Sequence, residues 1–321
     1  MSVAKLAERV SLIGLPYHCG TRGRVTGATT NAMAIGPEVL LAPDHAPALL
    51  APRVDDLNVE LLVDAEVPRQ SDTGGDYRLI PAGDQMGRIL VQNTRLAEAV
   101  REARRADRLP IVSLGTCSGT LGVVAGLSET AEPFGVLWLD AHGDAMTPET
   151  SSNGFIEGMV TTTITGKCWK AWRENLKGFR VVEERNFVSI GLHEAFSAKA
   201  RAHAGIAVGT LVNPPVIQRL GFERAIAAAL DLLSGQVRKV YIHVDTDVLD
   251  PETALAANRH CAEGGLTTAQ VASIFSEAAD RFEILATSFS SYDPDVDPRG
   301  PDVIGGLMLE AASCMQRSRT N

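Results

Sequence analysis

The chain alternates short apolar runs with segments of helical periodicity, and this pattern predicts a sheet covered by helices. Apolar runs predict strands at 10–16, 59–64, 110–115, 136–140, 186–191, 239–244 and 284–289. Helical signals predict helices from Gly36 and Val160, after Cys117, and at 88–105, 197–204, 221–233, 267–282 and 301–314. Residues 43–58 and 65–83, rich in turn-forming residues, are predicted to be irregular. The alternation predicts an α/β fold of three α/β/α layers with a mainly parallel central sheet, in a single domain spanning residues 1–321.

Three polar side chains follow the predicted strand at 136–140 in an alternating pattern. Asp140, His142 and Asp144 stand at every second position, and alternate side chains of an extended segment point to the same side. Two carboxylates and an imidazole suit a divalent cation such as Mn²⁺, Fe²⁺, Co²⁺ or Zn²⁺. The pattern therefore predicts metal ligands where this strand ends.

Two further strands end in residues that can bind a metal ion. Asp245 and Asp247 follow the strand at 239–244 with the same spacing, and Cys117 follows the strand at 110–115. Ligands bind at the carboxyl ends of strands in open α/β sheets. Six donors favour two ions that share carboxylates and activate a bridging water. Taken singly, such an Asp can instead cap a helix or lie in a solvated turn, and Cys117 can be a small core residue.

Composition and charge narrow the class of protein. A chain of 321 residues with 45% hydrophobic residues can bury a full core. The net charge of −9 and a pI near 5.3 argue against nucleic-acid binding, and no apolar run is long enough for a membrane span. The charged N-terminus is unlike a signal peptide, and five scattered cysteines fit a reducing compartment. A cytoplasmic protein is expected.

The polar motifs resemble those of the ureohydrolase superfamily, which comprises arginases, agmatinases and formimidoylglutamases. Residues 114–118 (Leu-Gly-Thr-Cys-Ser) are similar to the family's Gly-Gly-Asp-His-Ser stretch, and residues 140–144 to its Asp-Ala-His-x-Asp motif. Residues 243–251 (His-Val-Asp-Thr-Asp-Val-Leu-Asp-Pro) are similar to its Ser-x-Asp-x-Asp-x-x-Asp-Pro motif. The matches run in the family's order and cover most of the chain.

The resemblance implies a fold, a cofactor and a reaction. The expected protein is an α/β/α domain that binds two divalent cations, most commonly Mn²⁺, and forms a homo-oligomer, often a trimer or hexamer. The expected reaction is hydrolysis of a linear C–N bond in a small guanidine or amidine by a metal-bridging hydroxide. His142 and Asp144 belong to the expected catalytic residues. The family's metal ligands align with Cys117, Asp140, His142, Asp144, Asp245 and Asp247.

One ligand position departs from the family pattern. The first histidine ligand aligns with Cys117. A thiolate is softer than imidazole and carries charge, so Zn²⁺ or Fe²⁺ can compete with Mn²⁺. In this respect the site resembles the hydroxyarginine-hydrolysing branch of the family, where Cys also replaces this histidine. The alternative is that Cys117 does not ligate and that the chain holds one ion firmly rather than two.

The residues that would surround the substrate depart further from the arginase pattern. An Asn and a Ser that arginases use on the amino-acid end of the substrate align with Met146 and Asn153. The proton-shuttle His of arginases aligns with Glu157. Glu157 can be a general acid or base if it is partly desolvated, or it can be a solvated loop charge.

Two more substrate positions are altered. The acidic residue that recognises the α-amino group aligns near Phe196, which leaves His193 and Glu194 as candidates. The Glu that pairs with the guanidinium aligns with Ser291. This change removes a charge-assisted pairing unless a nearby carboxylate such as Asp293 compensates.

Two residues stand out from the family motifs. Arg259, in the segment 258–261, can bind a carboxylate bidentately or be an ordinary surface residue. His243 precedes Asp245 by one alternation of the strand. It can hold a metal ligand by a hydrogen bond or be a satisfied core histidine.

The leading hypothesis is a metal-dependent hydrolase of a modified guanidine, such as a hydroxyguanidine, or of another specialised amidine. L-Arginine is not the expected substrate, because four pocket positions differ together: Met146, Glu157, Phe196 and Ser291. The alternatives are a weak or inactive relative that serves as an oligomeric or binding partner, and a deacetylase-like amidase. Retention of five ligands favours an enzyme, since clustered buried carboxylates are costly without a cation.

Overall fold

A computed structural model of the protein describes residues 6, 8–24, 31–63, 82–129, 132–193 and 207–320. The helix predicted at 197–204 and most of the loop predicted at 65–83 lie outside the described residues. Glu194 and Phe196, the candidates for α-amino recognition, also lie outside them.

The described strands form one sheet in which every neighbouring pair is parallel. They are β1 (Arg9–Leu15), β2 (Asp56–Leu61), β3 (Leu109–Leu114), β4 (Gly135–Leu139), β5 (Phe187–Ile190), β6 (Thr210–Val212), β7 (Lys239–Asp245) and β8 (Glu283–Ser290). Their order across the sheet is β2-β1-β3-β8-β7-β4-β5-β6. The central strands β3 and β4 are buried along their whole length, as parallel strands covered on both faces should be.

Helices cover both faces of this sheet. The described helices are α1 (Gly36–Leu40), α2 (Ala46–Leu50), α3 (Ala82–Arg105), α4 (Thr120–Leu127), α5 (Val160–Ile164), α6 (Lys170–Glu174), α7 (Pro214–Leu220), α8 (Phe222–Ser234), α9 (Thr268–Ala279) and α10 (Gly300–Thr320). None of them is both long enough and apolar enough to cross a membrane.

Two apolar clusters, one on each face of the sheet, hold the helices in place. Leu137 and Leu139 of β4 belong to the cluster that contacts α1, α2, α8, α9 and α10. Val136 and Trp138 of the same strand belong to the cluster that contacts α3, α4 and α5. Because alternate side chains enter different clusters, the sheet is the middle layer of three. The predicted α/β/α architecture with a parallel sheet is confirmed, whereas the assignment of residues 1–321 to one domain stays a prediction.

The prediction of an irregular segment at 43–58 is wrong, because α2 and the start of β2 lie within it. Pro47 lies in the first turn of α2, where a missing N–H costs nothing, so it favours the helix. β2 begins at Asp56 rather than at Val59. It is an edge strand with partly exposed side chains, so an apolar run does not mark its start.

Other element boundaries also differ from the predictions. α3 begins at Ala82 rather than at Arg88, and α10 extends to Thr320 rather than ending at Cys314. The sequence pattern does not predict α6, β6 or α7, which have five, three and seven residues. Elements this short carry too few apolar positions to establish a period.

Candidate metal centre

Four neighbouring strands bring the predicted ligands to one edge of the sheet. β3, β8, β7 and β4 are consecutive across the sheet, and their register aligns their carboxyl ends. Cys117 follows β3, Asp140 follows β4, and Asp245 is the last residue of β7. Ser290 ends β8 opposite Asp245. The sequence therefore places these side chains together because the strands that precede them are parallel and adjacent.

The predicted ligands form two overlapping clusters. Cys117, Asp140 and Asp245 form one, and Asp140, His142 and Asp247 form the other. Within each cluster, one potential ligand atom from every residue lies within 4.8 Å of the others. Asp140 belongs to both clusters, so its two carboxylate oxygens can face two adjacent positions. This arrangement is suited to a pair of cations bridged by a carboxylate.

The second cluster is organised around the imidazole of His142. Its Nδ1 lies 3.3 Å from Asp140 Oδ1 and 3.3 Å from Asp247 Oδ2. Burial lowers the pKa of His142, but the Asp247 and Asp140 carboxylates outweigh it, so the pKa lies well above its usual value. A cation and a proton therefore compete for the same position between these groups.

The first cluster contains the Cys117 thiol. Cys117 Sγ lies 2.7 Å from Asp245 Oδ2, which also accepts a hydrogen bond of 2.7 Å from Ser291 Oγ. Burial and the nearby Asp245 raise the pKa of the Cys117 thiol well above its usual value. Burial and Asp247 likewise raise the pKa of Asp245.

Backbone amides and one indole fix the orientation of the carboxylates. The His142 amide donates to Asp140 Oδ1 at 2.6 Å, and the Asp247 amide donates to Asp245 Oδ1 at 3.1 Å. Both are turns in which an Asp side chain accepts from the amide two residues later. Trp138 Nε1 donates to Asp140 Oδ2 at 2.9 Å. The Asp-x-His and Asp-x-Asp spacings thus preorganise the ligands locally as well as placing them on one side.

The donor set fits divalent cations. Asp140, Asp245 and Asp247 are at most 4% exposed, and buried charges of one sign are costly unless a counter-ion compensates them. Burial, with a contribution from Asp247, raises the pKa of Asp140 to about 6. Carboxylates, an imidazole and a thiol together suit first-row divalent metal ions. Mn²⁺, Fe²⁺ and Zn²⁺ differ mainly in how well they accept a sulfur ligand.

Asp144, the remaining predicted ligand, lies outside both clusters. It has a left-handed backbone conformation with a φ of 44°. Burial raises the pKa of its carboxyl group, and the neighbouring Asp140 raises it further. Asp144 is therefore close to the centre electrostatically, and its role as a ligand stays a prediction.

Glu157 is buried, so the prediction of a solvated loop charge is wrong. Its side chain is 6% exposed. Oε2 accepts a hydrogen bond of 2.7 Å from the Ser118 amide, and the Cys19 thiol donates to Oε1 at 3.7 Å. Burial raises the pKa of Glu157, although the Ser118 hydrogen bond opposes this effect. Glu157 therefore joins the loops that follow β1 and β3, next to Cys117.

Met146 and Asn153 occupy different environments in the loop after β4. Met146 is half-buried, and its methyl group lies against Gly158, where an added Cβ would come within 2.9 Å. Asn153 is exposed, and its Oδ1 accepts from the Phe155 amide at 3.1 Å. Met146 thus lies beside the Glu157 turn, whereas the Asn153 side chain supports its own loop.

Ser291 occupies a strained and buried position at the centre. It is 6% exposed and has a φ of 66°, and its hydroxyl donates to Asp245 Oδ2. Asp293, which could replace the missing carboxylate, is 2% exposed. Its Oδ2 accepts from the Ala32 amide and its Oδ1 from the Asp295 amide. Asp293 therefore supports the backbone rather than presenting a carboxylate to a ligand.

Histidines that the metal motifs do not include also gather here. The His260 ring lies edge-on to His142, with 6.3 Å between centroids. Burial, with His142 next, lowers the pKa of both His260 and His193. Arg259 is exposed in the same segment as His260. The unusual composition of 258–261 is the only signal in the sequence that points to His260, whereas nothing in the sequence marks Trp138 or Ser290 as partners of the ligands.

Comparisons with known proteins match nearly the whole length of the chain. A model of the arginase family matches residues 8–313. The arginase of Bacillus caldovelox is 27% identical over 297 residues, which cover 90% of this chain and 92% of that protein. Its crystal structure superposes with a TM-score of 0.75 at 24% identity over 98% of this chain and 99% of the other. A formimidoylglutamase from Bacillus subtilis superposes with a TM-score of 0.68 at 16% identity over 97% and 88%.

Proposed function

The chain belongs to the arginase family, and we propose that it uses two divalent cations to hydrolyse a linear C–N bond. The observation that carries this proposal is the pair of ligand clusters that share Asp140. Cys117, Asp140 and Asp245 would hold one cation, and Asp140, His142 and Asp247 the other. Bound cations of this kind supply a Lewis acid and lower the pKa of a coordinated water to near neutrality.

The protein's own groups would orient the ligands and handle protons. Trp138 Nε1 and the Ser291 hydroxyl hold the carboxylates of Asp140 and Asp245 in place. His260 and His193 flank His142, and burial favours their neutral forms. A neutral imidazole has one nitrogen free to accept a proton and can return it to a leaving amine. Glu157 accepts a hydrogen bond from the Ser118 amide. It would therefore hold the Cys117 loop in place rather than exchange protons with a substrate.

We further propose that the substrate is a modified guanidine or amidine and not L-arginine. Support comes from the position that pairs with guanidinium in arginases, where Ser291 presents a hydroxyl already committed to Asp245. Asp293 is committed to backbone amides. In the part of the chain that the structure describes, no carboxylate replaces the missing one. A guanidinium cation would therefore lose a charge-assisted pairing, whereas a less basic hydroxyguanidine loses less.

Metal analysis and a substrate screen test the proposal. Purified protein loaded with Mn²⁺, Zn²⁺ or Fe²⁺ should hold close to two ions per chain and release urea-type products or ammonia from guanidines or amidines. Because Asp140 belongs to both clusters, Asp140→Asn should lose both ions and all turnover, whereas the exposed Asp44→Asn should lose neither.

Each other outcome has a distinct meaning. Arginine turnover at ordinary arginase rates would contradict the substrate proposal alone. Activity confined to acyl-amides would indicate a deacetylase-like amidase. Protein without metal or turnover would indicate a binding partner rather than an enzyme. Trimer or hexamer formation and a cytoplasmic location stay predictions.

A further inference from the structure

A column of buried polar side chains lies beneath the Cys117 end of the metal centre. Tyr241 and His243 are alternate residues of β7, and Ser288 and Ser290 are alternate residues of the adjacent β8. The register pairs His243 with Ser288, so these side chains lie on one face. All four are at most 1% exposed. Buried polar groups at this depth are costly without hydrogen bonds, and the great majority of them have partners.

The column is continuous up to the sulfur. Tyr241 OH lies 2.5 Å from Ser288 Oγ, which lies 2.8 Å from His243 Nδ1. His243 Nε2 lies 3.4 Å from Ser290 Oγ, and Ser290 Oγ lies 3.3 Å from Cys117 Sγ. The His243 imidazole therefore connects the Ser288 hydroxyl to the Ser290 hydroxyl, and the Ser290 hydroxyl contacts the Cys117 thiol.

The imidazole of His243 faces one serine hydroxyl with each of its ring nitrogens, which restricts the direction of these hydrogen bonds. It is fully buried, and the Trp138 ring lies 4.1 Å from it between centroids. A neutral imidazole donates from one nitrogen and accepts at the other. The column can therefore run in only one direction at a time.

We propose that His243 is a positioning residue that acts through Ser290 to aim a hydrogen-bond donor at the sulfur of Cys117, and thereby makes this cysteine a metal ligand. This inference rests on the proposed metal centre. When a cation binds, it takes the place of the thiol proton, which leaves to water, and the sulfur can then only accept. The donors run from Tyr241 O–H to Ser288 Oγ, from Ser288 O–H to His243 Nδ1, from His243 Nε2–H to Ser290 Oγ, and from Ser290 O–H to Cys117 Sγ.

This arrangement uses each of the four donors once and directs the last of them, the Ser290 O–H, at a buried negative charge. Hydrogen bonds to a charged acceptor are about twice as strong as neutral ones. Cys117 and His243 are both positions at which the chain departs from the family motifs, which have His and Ser there. A serine at 243 is too short to reach both Ser288 and Ser290. The two departures therefore act together, because the His243 imidazole orients the Ser290 hydroxyl that donates to the sulfur ligand.

Cobalt substitution tests the proposal by spectroscopy. Co²⁺-loaded wild-type protein should show a sulfur-to-cobalt charge-transfer band. Ser290→Ala and His243→Ser should shift the band to longer wavelength, because a sulfur without its hydrogen bond is a better electron donor. Co²⁺ affinity should fall roughly 10- to 100-fold, as for other residues that orient metal ligands.

Two controls separate this role from simple structural support. Ser113→Ala removes a buried hydroxyl of the neighbouring β3 that has no hydrogen-bond partner among the described residues, and it should change neither the band nor the affinity. In a Cys117→His background the band should be absent, and Ser290→Ala should no longer alter Co²⁺ affinity. Ser290→Thr keeps the hydroxyl and should restore the wild-type band.

The outcomes also separate this proposal from the proposed function. Two bound ions and C–N hydrolysis without any charge-transfer band would overturn the role of Cys117 and leave the hydrolase intact. An unchanged band in both Ser290→Ala and His243→Ser would overturn the positioning role, as would an equal affinity loss in Ser113→Ala. Protein that binds no metal would overturn both proposals.

Discussion

Glu157 shows how the surroundings of a single residue can differ from what its position in a motif suggests. It aligns with a proton-shuttle histidine, yet its carboxylate is buried and accepts from the Ser118 amide at 2.7 Å. Ser118 directly follows Cys117, so this hydrogen bond holds the loop that carries the thiol. An unsatisfied buried amide costs about 1–3 kcal/mol. Glu157 therefore contacts the metal loop, and its role as a general acid or base stays a prediction.

Truncation of Glu157 should destabilise the protein more than neutralisation does. Glu157→Ala leaves the Ser118 amide without its acceptor and should lower the free energy of unfolding by about 1–3 kcal/mol. Glu157→Gln keeps an oxygen acceptor and should cost less. Urea denaturation of both variants measures the difference. An equal loss in the two variants would contradict the supporting role of the hydrogen bond.

The difference in stability between the wild-type protein and Glu157→Gln should depend on pH. Because burial raises the pKa of Glu157 in the folded state, the native protein binds more protons than the unfolded chain between the two pKa values. The contribution of Glu157 to the wild-type free energy of unfolding should therefore fall as the pH rises above about 4.3, the ordinary value for Glu. Glu157→Gln lacks this contribution, so its stability relative to wild type should improve over the same range.

At the scale of single residues, the sequence predicts the spacing of the ligands better than it predicts the groups that surround each side chain. Asp140, His142, Asp245 and Asp247 come together because alternation and strand ends are local properties. The burial of Glu157 depends on the Ser118 amide, which belongs to a distant segment. No local pattern can reveal such a partner.

At the scale of secondary-structure elements, the start of α9 shows how one side chain fixes the beginning of a helix. Two adjacent threonines, Thr267 and Thr268, stand at the start of this helix. In the structure Thr267 Oγ1 accepts from the Gln270 amide, and Gln270 Oε1 accepts from the Thr267 amide. This reciprocal pair is a capping box, which satisfies two amides that the helix leaves unpaired.

Replacement of the two threonines should distinguish the cap from its neighbour. Thr267→Ala removes the capping oxygen and should lower the free energy of unfolding by about 1 kcal/mol. Thr268→Ala changes a half-buried residue inside the first turn and should stay within about 0.5 kcal/mol of wild type. Thermal or urea unfolding of both proteins measures the effect. A larger loss for Thr268→Ala would show that the cap is misassigned.

Central elements are more predictable than edge elements in this fold. β3, β4 and β7 are covered on both faces, so their sequences are nearly continuous apolar runs. β2 and β6 lie at the two edges of the sheet, where partial exposure mixes polar residues into the strand. Edge strands therefore lose the signal on which prediction depends.

At the scale of the whole molecule, cations would join segments that are far apart in the chain. The clusters combine the loops after β3 and β4 with the end of β7. A ligand that binds only the folded state stabilises it by about 2.7 kcal/mol when its concentration is 100 times Kd. Each filled site should therefore raise the stability of the entire sheet.

Calorimetry with and without metal should measure this coupling. Wild-type protein should melt at a higher temperature in Mn²⁺ than in EDTA. Asp140→Asn, which removes the shared ligand, should lose most of this difference, whereas the exposed Asp44→Asn should keep it. A shift of equal size in Asp140→Asn would contradict the proposed ligand sets.

The overall architecture could be predicted from the sequence, but the order of the strands could not. Alternation of apolar runs and helices predicts parallel layers, because parallel strands need crossover connections. Which strands become neighbours depends on packing between whole layers. The sequence therefore predicts that ligands follow strands, and the structure adds that β8 lies between β3 and β7.

This position of β8 has a consequence for how the protein is made. The ribosome produces every residue of the two ligand clusters before it reaches Glu283, where β8 begins. Until residues 283–290 emerge, the chain lacks the strand that holds the loops after β3 and β7 at their proper separation. We therefore expect the metal centre to assemble only after β8 has been synthesised. Metal loading should follow that step, because a nascent chain without β8 carries the ligands without yet having the site.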